Sequence, residues 1–370
     1  MRLIDASNAE QYLHETHRVA REESLQVREL SGGVSNFVLL ARRSSGEEFV
    51  LKQARPQLRV PLPWFCGVAR IFREIDVLRL CERTFTNERS PTAPSSALAI
   101  QIPRVLFEDR ENFLFGMTAA PSPHETWKER LLSGDADGAI ASACGDLLGR
   151  LHAATWRDAA VARQFDDRQF FDDLRIDPYF RQIALVHADL RPAIQRLIDS
   201  VWENRFCLVH GDFSPKNLLV WNGGLMLIDF EVGHFGDPAF DLGFVLTHLV
   251  LKSLWAGGEC ERYLALLESF WSRYATALSA TVSAADMSEL ESRTAQNLAG
   301  CCLARVDGKS RVDYLADGDP ARELSRQLFQ QPPGSWNETY QMIREQIARA
   351  AGLVTNRTAA KVARTRESDG

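Results

Sequence analysis

The sequence predicts an α+β protein with a small β-rich amino-terminal part and a larger, mostly helical carboxy-terminal part. Short apolar runs separated by glycine, serine and proline turns fill most of residues 25–118, a pattern typical of strands. From Met117 onward, apolar residues recur every three or four positions, as on one face of a helix. A chain of 370 residues is long enough for two domains or two lobes. We assign residues 1–118 to a first lobe, 119–352 to a second lobe and 353–370 to a disordered tail.

The elements follow from these two patterns in chain order. Those expected in the first lobe are an amphipathic helix within 1–24, strands over 25–30, 34–41 and 49–51, a helix from Val68, and strands over 102–108 and 112–117. A Pro/Ser/Thr-rich loop is expected over 86–99 and a linker over 119–123. Helices expected in the second lobe are 140–151, 179–204, 239–255, 259–279, 286–304 and 337–351, and short strands at 207–209, 218–220 and 225–228 interrupt them.

Composition excludes several classes of protein. The formal net charge of -6 and a pI of about 5.8 disfavour a nucleic-acid partner. The apolar run 242–251 is too short to span a bilayer, and residues 1–15 lack the apolar core of a signal peptide, so we expect no membrane partner. Seven cysteines without a CxxC pair indicate free thiols and a cytoplasmic protein.

The segment 208–220 carries polar groups on a loop between two short apolar runs. Asp212 and Asn217 lie five residues apart in it, and Asp229 follows a third apolar run. Phosphoryl transfer from a nucleotide requires such a set. One carboxylate accepts or orients the proton of the acceptor hydroxyl, while an asparagine oxygen and a second carboxylate hold magnesium on the phosphates. An ordinary pair of Asp-containing turns is the alternative interpretation.

The first lobe offers groups suited to a nucleotide. Gly32, Gly33 and Ser35 lie between two strand-like runs, where backbone N–H groups can approach phosphates, although the Gly-Gly pair also fits a plain hairpin turn. Lys52 ends the next strand, and a lysine on a half-buried face is costly unless it is paired. Glu74, beside the apolar face of the following helix, is its candidate partner. A solvated surface charge is the alternative for each of the two.

Together these motifs resemble the aminoglycoside phosphotransferase / choline kinase superfamily, which has the protein-kinase-like fold. The matching runs are GGVSN, FVLK, a helical glutamate, HGDFSPKN, and IDFE followed by GDPAFDLG, and they cover roughly residues 25–255. The resemblance implies a two-lobed protein-kinase-like fold. It also implies transfer of the γ-phosphate of ATP, with Mg²⁺, to a hydroxyl of a small molecule such as a sugar or thiosugar, an amino alcohol or an aminoglycoside.

The resemblance also implies roles for individual residues. Asp212 would be the catalytic base, Asn217 and Asp229 the magnesium ligands, and His210 and Asp241 structural supports of the catalytic loop. The residues implied for nucleotide binding are Lys52, held by Glu74, with Gly32, Gly33 and Ser35 in the phosphate loop and Met117 and Ala119 at the hinge that receives adenine.

Parts of the chain are similar to methylthioribose kinase, namely LKQARPQLRV continuing into WFCGVARIFREIDVLR, and NLAGCCLAR. This similarity implies that Arg305 contacts the acceptor and that Glu231 lies near the metal. The catalytic loop departs from that family because it keeps SPKN, DFE replaces DPE, and Ala304 precedes Arg305 where an arginine pair is expected. The identity of the acceptor is therefore left open.

Two alternatives belong to other classes of protein. A catalytically inactive kinase-like binding protein is disfavoured because Lys52, Asp212, Asn217 and Asp229 are all present. A metal-dependent hydrolase built on His210, Asp212 and Asp229 would leave the glycine loop and Lys52 unexplained. The sequence leaves the oligomeric state and the choice between ATP and GTP open.

Overall fold

The computed structural model describes residues 1–30, 35–57, 65–86 and 98–368, with side chains except at 86 and 353–368. Contacts divide the chain into two compact units. Unit 1 comprises Met1–Glu125, Gln169–Leu174 and Leu218–Gly233, and unit 2 comprises Thr126–Arg168, Arg175–Asn217 and His234–Gly370. Most of the strands lie in unit 1 and most of the helices in unit 2, which confirms the predicted fold class.

The elements are numbered in chain order. The strands are β1 Leu25–Glu29, β2 Asn36–Arg43, β3 Glu48–Ala54, β4 Ala99–Gln101, β5 Val105–Asp109, β6 Leu114–Thr118, β7 Glu125–Thr126, β8 Cys207–Val209, β9 Leu218–Trp221, β10 Gly224–Leu227 and β11 His234–Gly236. The helices are α1 Ala9–Glu15, α2 Arg70–Thr86, α3 Trp127–Leu132, α4 Gly138–Thr155, α5 Ala159–Gln164, α6 Gln169–Phe171, α7 Gln182–Val186, α8 Arg191–Glu203, α9 Pro238–Ala256, α10 Cys260–Leu278, α11 Ala284–Asp307, α12 Asp319–Gln330 and α13 Trp336–Ser368. A π-helical segment, Asp172–Arg181, precedes α7, and 3₁₀ turns occupy Pro215–Asn217 and Gly257–Glu259.

A five-stranded antiparallel sheet with strand order β1-β2-β3-β6-β5 forms the centre of unit 1. Lys52 lies on β3, opposite Val38 of β2 and Phe115 of β6. The predicted hairpin is present, but the helix expected within residues 1–24 is confined to α1. The backbone leaves the helical conformation just after α1, since His17 has a positive φ of 55°.

Helix α2 packs its apolar residues Ile71, Ile75 and Leu78 into unit 1, as the predicted periodicity requires. Its buried face also carries two charged residues, Arg70 and Glu74, both fully buried. Because a buried charge is unfavourable without a partner, both must be paired.

A second sheet in unit 1 contains β4, β10 and β9. Strands β9 and β10 form an antiparallel hairpin, and β4 pairs with β10 in parallel. The short strand β4 begins at Ala99, at the edge of the predicted 86–99 loop, and residues 87–97 of that loop lie outside the described residues. The hairpin delivers the chain to Asp229.

In unit 2, helices α4 and α10 approach closely along a pair of glycines. A Cβ added at Gly145 would lie 2.2 Å from the Phe270 carbonyl oxygen, and one at Gly149 would lie 2.6 Å from the Ala277 Cβ and 2.9 Å from the Tyr274 carbonyl oxygen. Helix α9 is buried over nearly its whole length, and the two-stranded sheet of β8 and β11 lies just before it in the chain. The helical stretch Pro238–Leu278 is long and apolar enough to span a membrane, but 83% of its apolar window is buried, as in the core of a folded domain.

All seven cysteines are free and buried. Burial raises the pKa of every one of these thiols. Thiols of this kind behave as small apolar side chains.

Candidate active site

Lys52 is the centre of a buried ionic cluster in unit 1. Its Nζ donates to Oε1 of Glu74 at 2.8 Å and lies 2.6 Å from Oδ1 of Asp229. The lysine is 4% exposed and Glu74 is fully buried. The structure thus brings together three of the residues singled out in the sequence, from β3, α2 and the segment after β10.

Three carboxylates share this lysine, because Glu231 also lies close by. Burial alone would lower the pKa of Lys52, but Asp229, Glu74 and Glu231 outweigh burial and raise it. Burial raises the pKa of Glu74 to about 7, and the charges of Asp229 and Glu231 add to this effect against the attraction of Lys52. The cluster therefore has an excess of negative charge.

Ligand atoms of Glu74, Asp229 and Glu231 all lie within 4.8 Å of one another. Carboxylate oxygens are the ligands that Mg²⁺ prefers. Asp229 has a φ of 73°, a left-handed conformation that few residues other than glycine adopt and that is concentrated at functional sites. In unit 1 the donor set and its excess charge fit a divalent cation.

Arg70 supports this cluster, and the sequence analysis did not identify it. Its Nε donates to Oε2 of Glu231 at 3.0 Å, and it also donates to the carbonyl oxygens of Ser35 and Arg55. Asn36 donates to the same Glu231 oxygen at 2.9 Å. Arg70 therefore joins the start of α2 to Glu231 and to the chain beside the predicted phosphate loop.

The other predicted nucleotide residues also belong to unit 1. Gly32 and Gly33 lie outside the described residues, while Ser35 is buried beside β2. Met117 is buried near the end of β6, and Ala119 follows that strand.

Asp212 is the centre of a second cluster, in unit 2. Its Oδ1 lies 2.9 Å from Nη2 of Arg175, and its Oδ2 lies 2.9 Å from Nζ of Lys216. Asn217 donates from Nδ2 to Oδ2 of Asp212 at 2.8 Å and to its carbonyl oxygen at 2.9 Å. These contacts fix the orientation of the carboxylate and leave the side-chain oxygen of Asn217 for another partner. Arg175 belongs to no motif or pattern that the sequence analysis singled out.

Asp241 supports the loop that carries Asp212. Its two carboxylate oxygens accept the backbone N–H groups of His210 at 2.7 Å and Gly211 at 2.8 Å. The Gly211 backbone has a φ of 75°, which glycine adopts without strain. Burial opposes the charge of Asp241, but hydrogen bonds and charge from His152 and His210 outweigh it and hold its pKa below the usual value.

His210 contributes through its ring as well as its backbone. Its Nδ1 accepts the backbone N–H of Asp212 at 3.1 Å, and the side chain is fully buried. His210 thus contacts both Asp241 and Asp212, and its role as a structural support of the loop, implied by the resemblance, stays a prediction. Arg305, the candidate acceptor contact, lies on α11 of the same unit, where it donates to Tyr179 and Ser310.

Solved structures similar in fold to this chain include proteins named as small-molecule kinases. The choline kinase of Cryptosporidium parvum Iowa II has a TM-score of 0.54 at 11% identity, covering 94% of this chain and 98% of that one. A choline/ethanolamine kinase family protein of Mesorhizobium loti has a TM-score of 0.51 at 14% identity, covering 92% and 99%. An amicoumacin kinase in complex with AMP-PNP and Ca²⁺ also has a TM-score of 0.51, at 16% identity, covering 88% and 94%. This chain therefore has a kinase-like fold.

The chain belongs to the phosphotransferase enzyme family, whose model matches residues 26–275. Among characterised relatives, methylthioribose kinase 2 of Oryza sativa subsp. japonica is 23% identical over 294 residues, 70% of this chain and 66% of that protein. Methylthioribose kinase of Yersinia pseudotuberculosis serotype O:1b is 25% identical over 275 residues, 67% and 64%. The chain thus spans just under two thirds of the length of these relatives. The superfamily resemblance seen in the sequence is confirmed.

Proposed function

We propose that this protein is an ATP- and Mg²⁺-dependent kinase that transfers the γ-phosphate to a hydroxyl of a small molecule. The observation that carries the proposal is the buried Lys52 ammonium held between Glu74 and Asp229. A lysine fixed in this way presents a compact positive charge, which suits the α- and β-phosphates of a nucleotide. Membership of the phosphotransferase enzyme family and the AMP-PNP complex of the amicoumacin kinase support it.

Asp212 would act on the acceptor. Because Arg175, Lys216 and Asn217 hold its carboxylate, Asp212 can orient the acceptor hydroxyl and take its proton as the oxygen attacks phosphorus. Asn217 and Asp229 would hold Mg²⁺, with Glu231 near it. The ion, when bound, neutralises charge on the phosphates.

The test is a screen for ADP release with ATP and Mg²⁺ over sugars, methylthioribose, amino alcohols and aminoglycosides, together with thermal shift by AMP-PNP. We expect AMP-PNP to raise the melting temperature when Mg²⁺ is present, and at least one acceptor to release ADP. If AMP-PNP binds and none of these acceptors, nor glucuronate or glucose 6-phosphate, releases ADP, the chain is the inactive binding protein instead. If AMP-PNP does not bind, the proposal is wrong.

Lys52→Ala isolates the nucleotide half of the proposal. It should raise KM for ATP by at least about tenfold, the equivalent of 1.4 kcal/mol, because one charge-assisted phosphate contact is lost. Lys309→Ala is the matched control, since Lys309 pairs with the half-exposed Asp177. Assays are run well below the melting temperature of each variant. An ATP dependence that is equal in the two variants would reject the phosphate role of Lys52.

A further inference from the structure

Lys252, near the end of α9, is a buried lysine without an acidic partner. Its side chain is 0% exposed, and its Nζ contacts the Tyr314 hydroxyl at 3.4 Å and lies 4.8 Å from the centre of that ring. No carboxylate of the described residues pairs with it. Burial, with the nearby charges of Lys128 and Arg305, lowers the pKa of Lys252 to about 7. Burying a lysine without an acidic partner is unfavourable for folding. Its presence here therefore indicates a functional role and not a contribution to stability.

Two more cations accompany it. Arg305 on α11 donates from Nη1 to the Tyr179 hydroxyl at 3.2 Å and to Ser310 Oγ at 2.7 Å, whereas its Nε is buried without a partner among the described residues. Lys128 on α3 lies 3.7 Å from Asp313, whose side chain is 81% exposed. We call Lys128, Lys252 and Arg305 the basic cluster.

The electrostatic effect of the basic cluster extends to its neighbours. His248, one turn before Lys252, is 7% exposed, and its pKa is held well below the usual value by burial and by the charges of Arg305, Lys252, Lys216 and Lys128. The charge of Asp313 opposes the effect on Lys252. The cluster therefore carries net positive charge around the buried Lys252.

The basic cluster and Asp212 are connected within unit 2. Asp241, Phe244, His248 and Lys252 are spaced by three, four and four residues along α9 and so share one face, about 16 Å long at 1.5 Å per residue. Asp241 supports the loop of Asp212 at one end of this face, and Lys252 lies at the other.

A second connection runs through side chains. Arg175, which binds Asp212, lies over the rings of Phe244 at 5.7 Å and Tyr179 at 6.0 Å. The hydroxyl of Tyr179 in turn accepts from Arg305. Arg175 and Tyr179 thus connect the proposed catalytic aspartate to Arg305 of the basic cluster.

We propose that the basic cluster binds an anionic group of the acceptor, a carboxylate or a phosphate, in the molecule whose hydroxyl Asp212 orients. This inference rests on the proposed function. An oxyanion supplies the acidic partner that neither Lys252 nor Arg305 has among the described residues, and it matches the donors of a lysine and an arginine. A cationic acceptor group would meet repulsion here. The acceptor class is therefore a hydroxylated acid or a phosphate ester.

The first test measures binding of inorganic phosphate and of acetate by thermal shift, at constant ionic strength. Saturating Mg²⁺ and AMP-PNP are present, so that the nucleotide site is filled. Either anion should raise the melting temperature of the wild type and of Lys309→Met, and the shift should vanish in Lys252→Met. An equal shift in Lys252→Met, or no shift in the wild type, overturns the proposal.

The second test varies the charge of the acceptor on one sugar ring. Glucose, glucosamine, glucuronate and glucose 6-phosphate are compared by ADP release, and the last two distinguish a carboxylate from a phosphate. An anionic member should have the highest kcat/KM, and Lys252→Met should lower it at least about tenfold without changing KM for ATP. A preference for glucosamine that Lys252→Met leaves unchanged overturns the proposal.

These outcomes separate the two proposals. If AMP-PNP does not bind and none of the four sugars releases ADP, the kinase function fails. The anion shifts are then repeated without nucleotide, where loss of the shift in Lys252→Met and its retention in Lys309→Met still supports an anion site at the basic cluster.

Discussion

Asp212 is held on both carboxylate oxygens by cations, with Asn217 as a third donor. Asp212→Asn keeps the size of the side chain and removes its ability to accept a proton. We expect kcat to fall by at least about 10³-fold while AMP-PNP still binds, because the lost group acts on the acceptor.

Asp177→Asn is the matched control for this prediction, since Asp177 is half exposed and pairs with Lys309 at the surface. Its kcat should equal that of the wild type. Full kinase activity in Asp212→Asn would contradict the role of the aspartate, and loss of AMP-PNP binding would place Asp212 with the nucleotide instead.

For single residues, the sequence predicted which side chains belong to the candidate site better than which side chains contact one another. Lys52 and Glu74 were paired by an argument about the cost of a buried charge, and the two side chains meet. Arg70 was missed because its main partner, Glu231, lies 161 residues away, and no local pattern reports such a distance. Arg175 was missed for the same reason, since the pattern around it gives no hint of Asp212.

At the scale of elements, α2 depends on the ion pair at its first residue. Arg70→Met would leave Glu231 buried without its cation and several carbonyl oxygens without their donor. We expect a loss of about 3–5 kcal/mol in the free energy of unfolding, measured by urea denaturation.

Arg79→Met tests the same substitution on the same helix. Arg79 is 43% exposed and pairs with Glu108, so its loss should cost less than about 1 kcal/mol. Adding Glu231→Gln to Arg70→Met should recover part of the stability, since the unpaired charge is removed. Equal effects of the two arginine variants would contradict a structural role for the buried pair.

The close packing of α4 against α10 gives a prediction about steric tolerance. Gly145→Ala would place a methyl group against the backbone of Phe270, which cannot move aside as a flexible side chain would. We expect a loss of about 1–3 kcal/mol in the free energy of unfolding. Gly138→Ala at the start of α4 is the control, because its nearest neighbour is 3.4 Å away, and its unfolding midpoint should not fall.

Some long periodic elements were predicted, but the single helix predicted over 179–204 is wrong because the chain breaks between α7 and α8, and α12 was not predicted. Helices α9, α10 and α11 match their apolar periodicity closely, whereas α3 and α5 have six residues each and show no period. A capping box, Thr126 with Glu129, marks the start of α3 and could have indicated it. The helix expected within 1–24 was too long because polar spacing alone gives no stop signal at His17.

At the scale of the whole molecule, Lys252 makes stability depend on pH. Its pKa is lowered to about 7 in the folded protein, below the ordinary value of 10.5 that it has when unfolded. Between these values the unfolded chain binds more protons, so this lysine's contribution to stability rises with pH. Below pH 7 both states are protonated and the full cost of burial is present.

Lys252→Met should therefore be more stable than the wild type at pH 6, by on the order of 2 kcal/mol, and this advantage should shrink toward pH 10. Melting temperatures of the two proteins at pH 6, 8 and 10 measure the difference, in which other titrating groups cancel. If the difference in melting temperature between the two proteins does not change with pH, the pKa of Lys252 is not lowered by burial.

The fold class was predictable because strand-like and helical sequence patterns occupy different parts of the chain. The set of chain segments that form unit 1 was harder to predict, because β10 pairs with β4 from a distant part of the sequence. Such pairing depends on tertiary packing and leaves no periodic trace. The acceptor could not be predicted either, since the basic cluster is assembled from α3, α9 and α11.

The seven buried thiols have a practical consequence. A maleimide dye reacts with exposed thiolates, so the native cysteines should stay unmodified while the protein is folded. A single cysteine placed at an exposed position such as Asp313 could be labelled without removing any of them. One such site in each unit would allow energy transfer between two dyes to follow the protein in solution as nucleotide and acceptor are added.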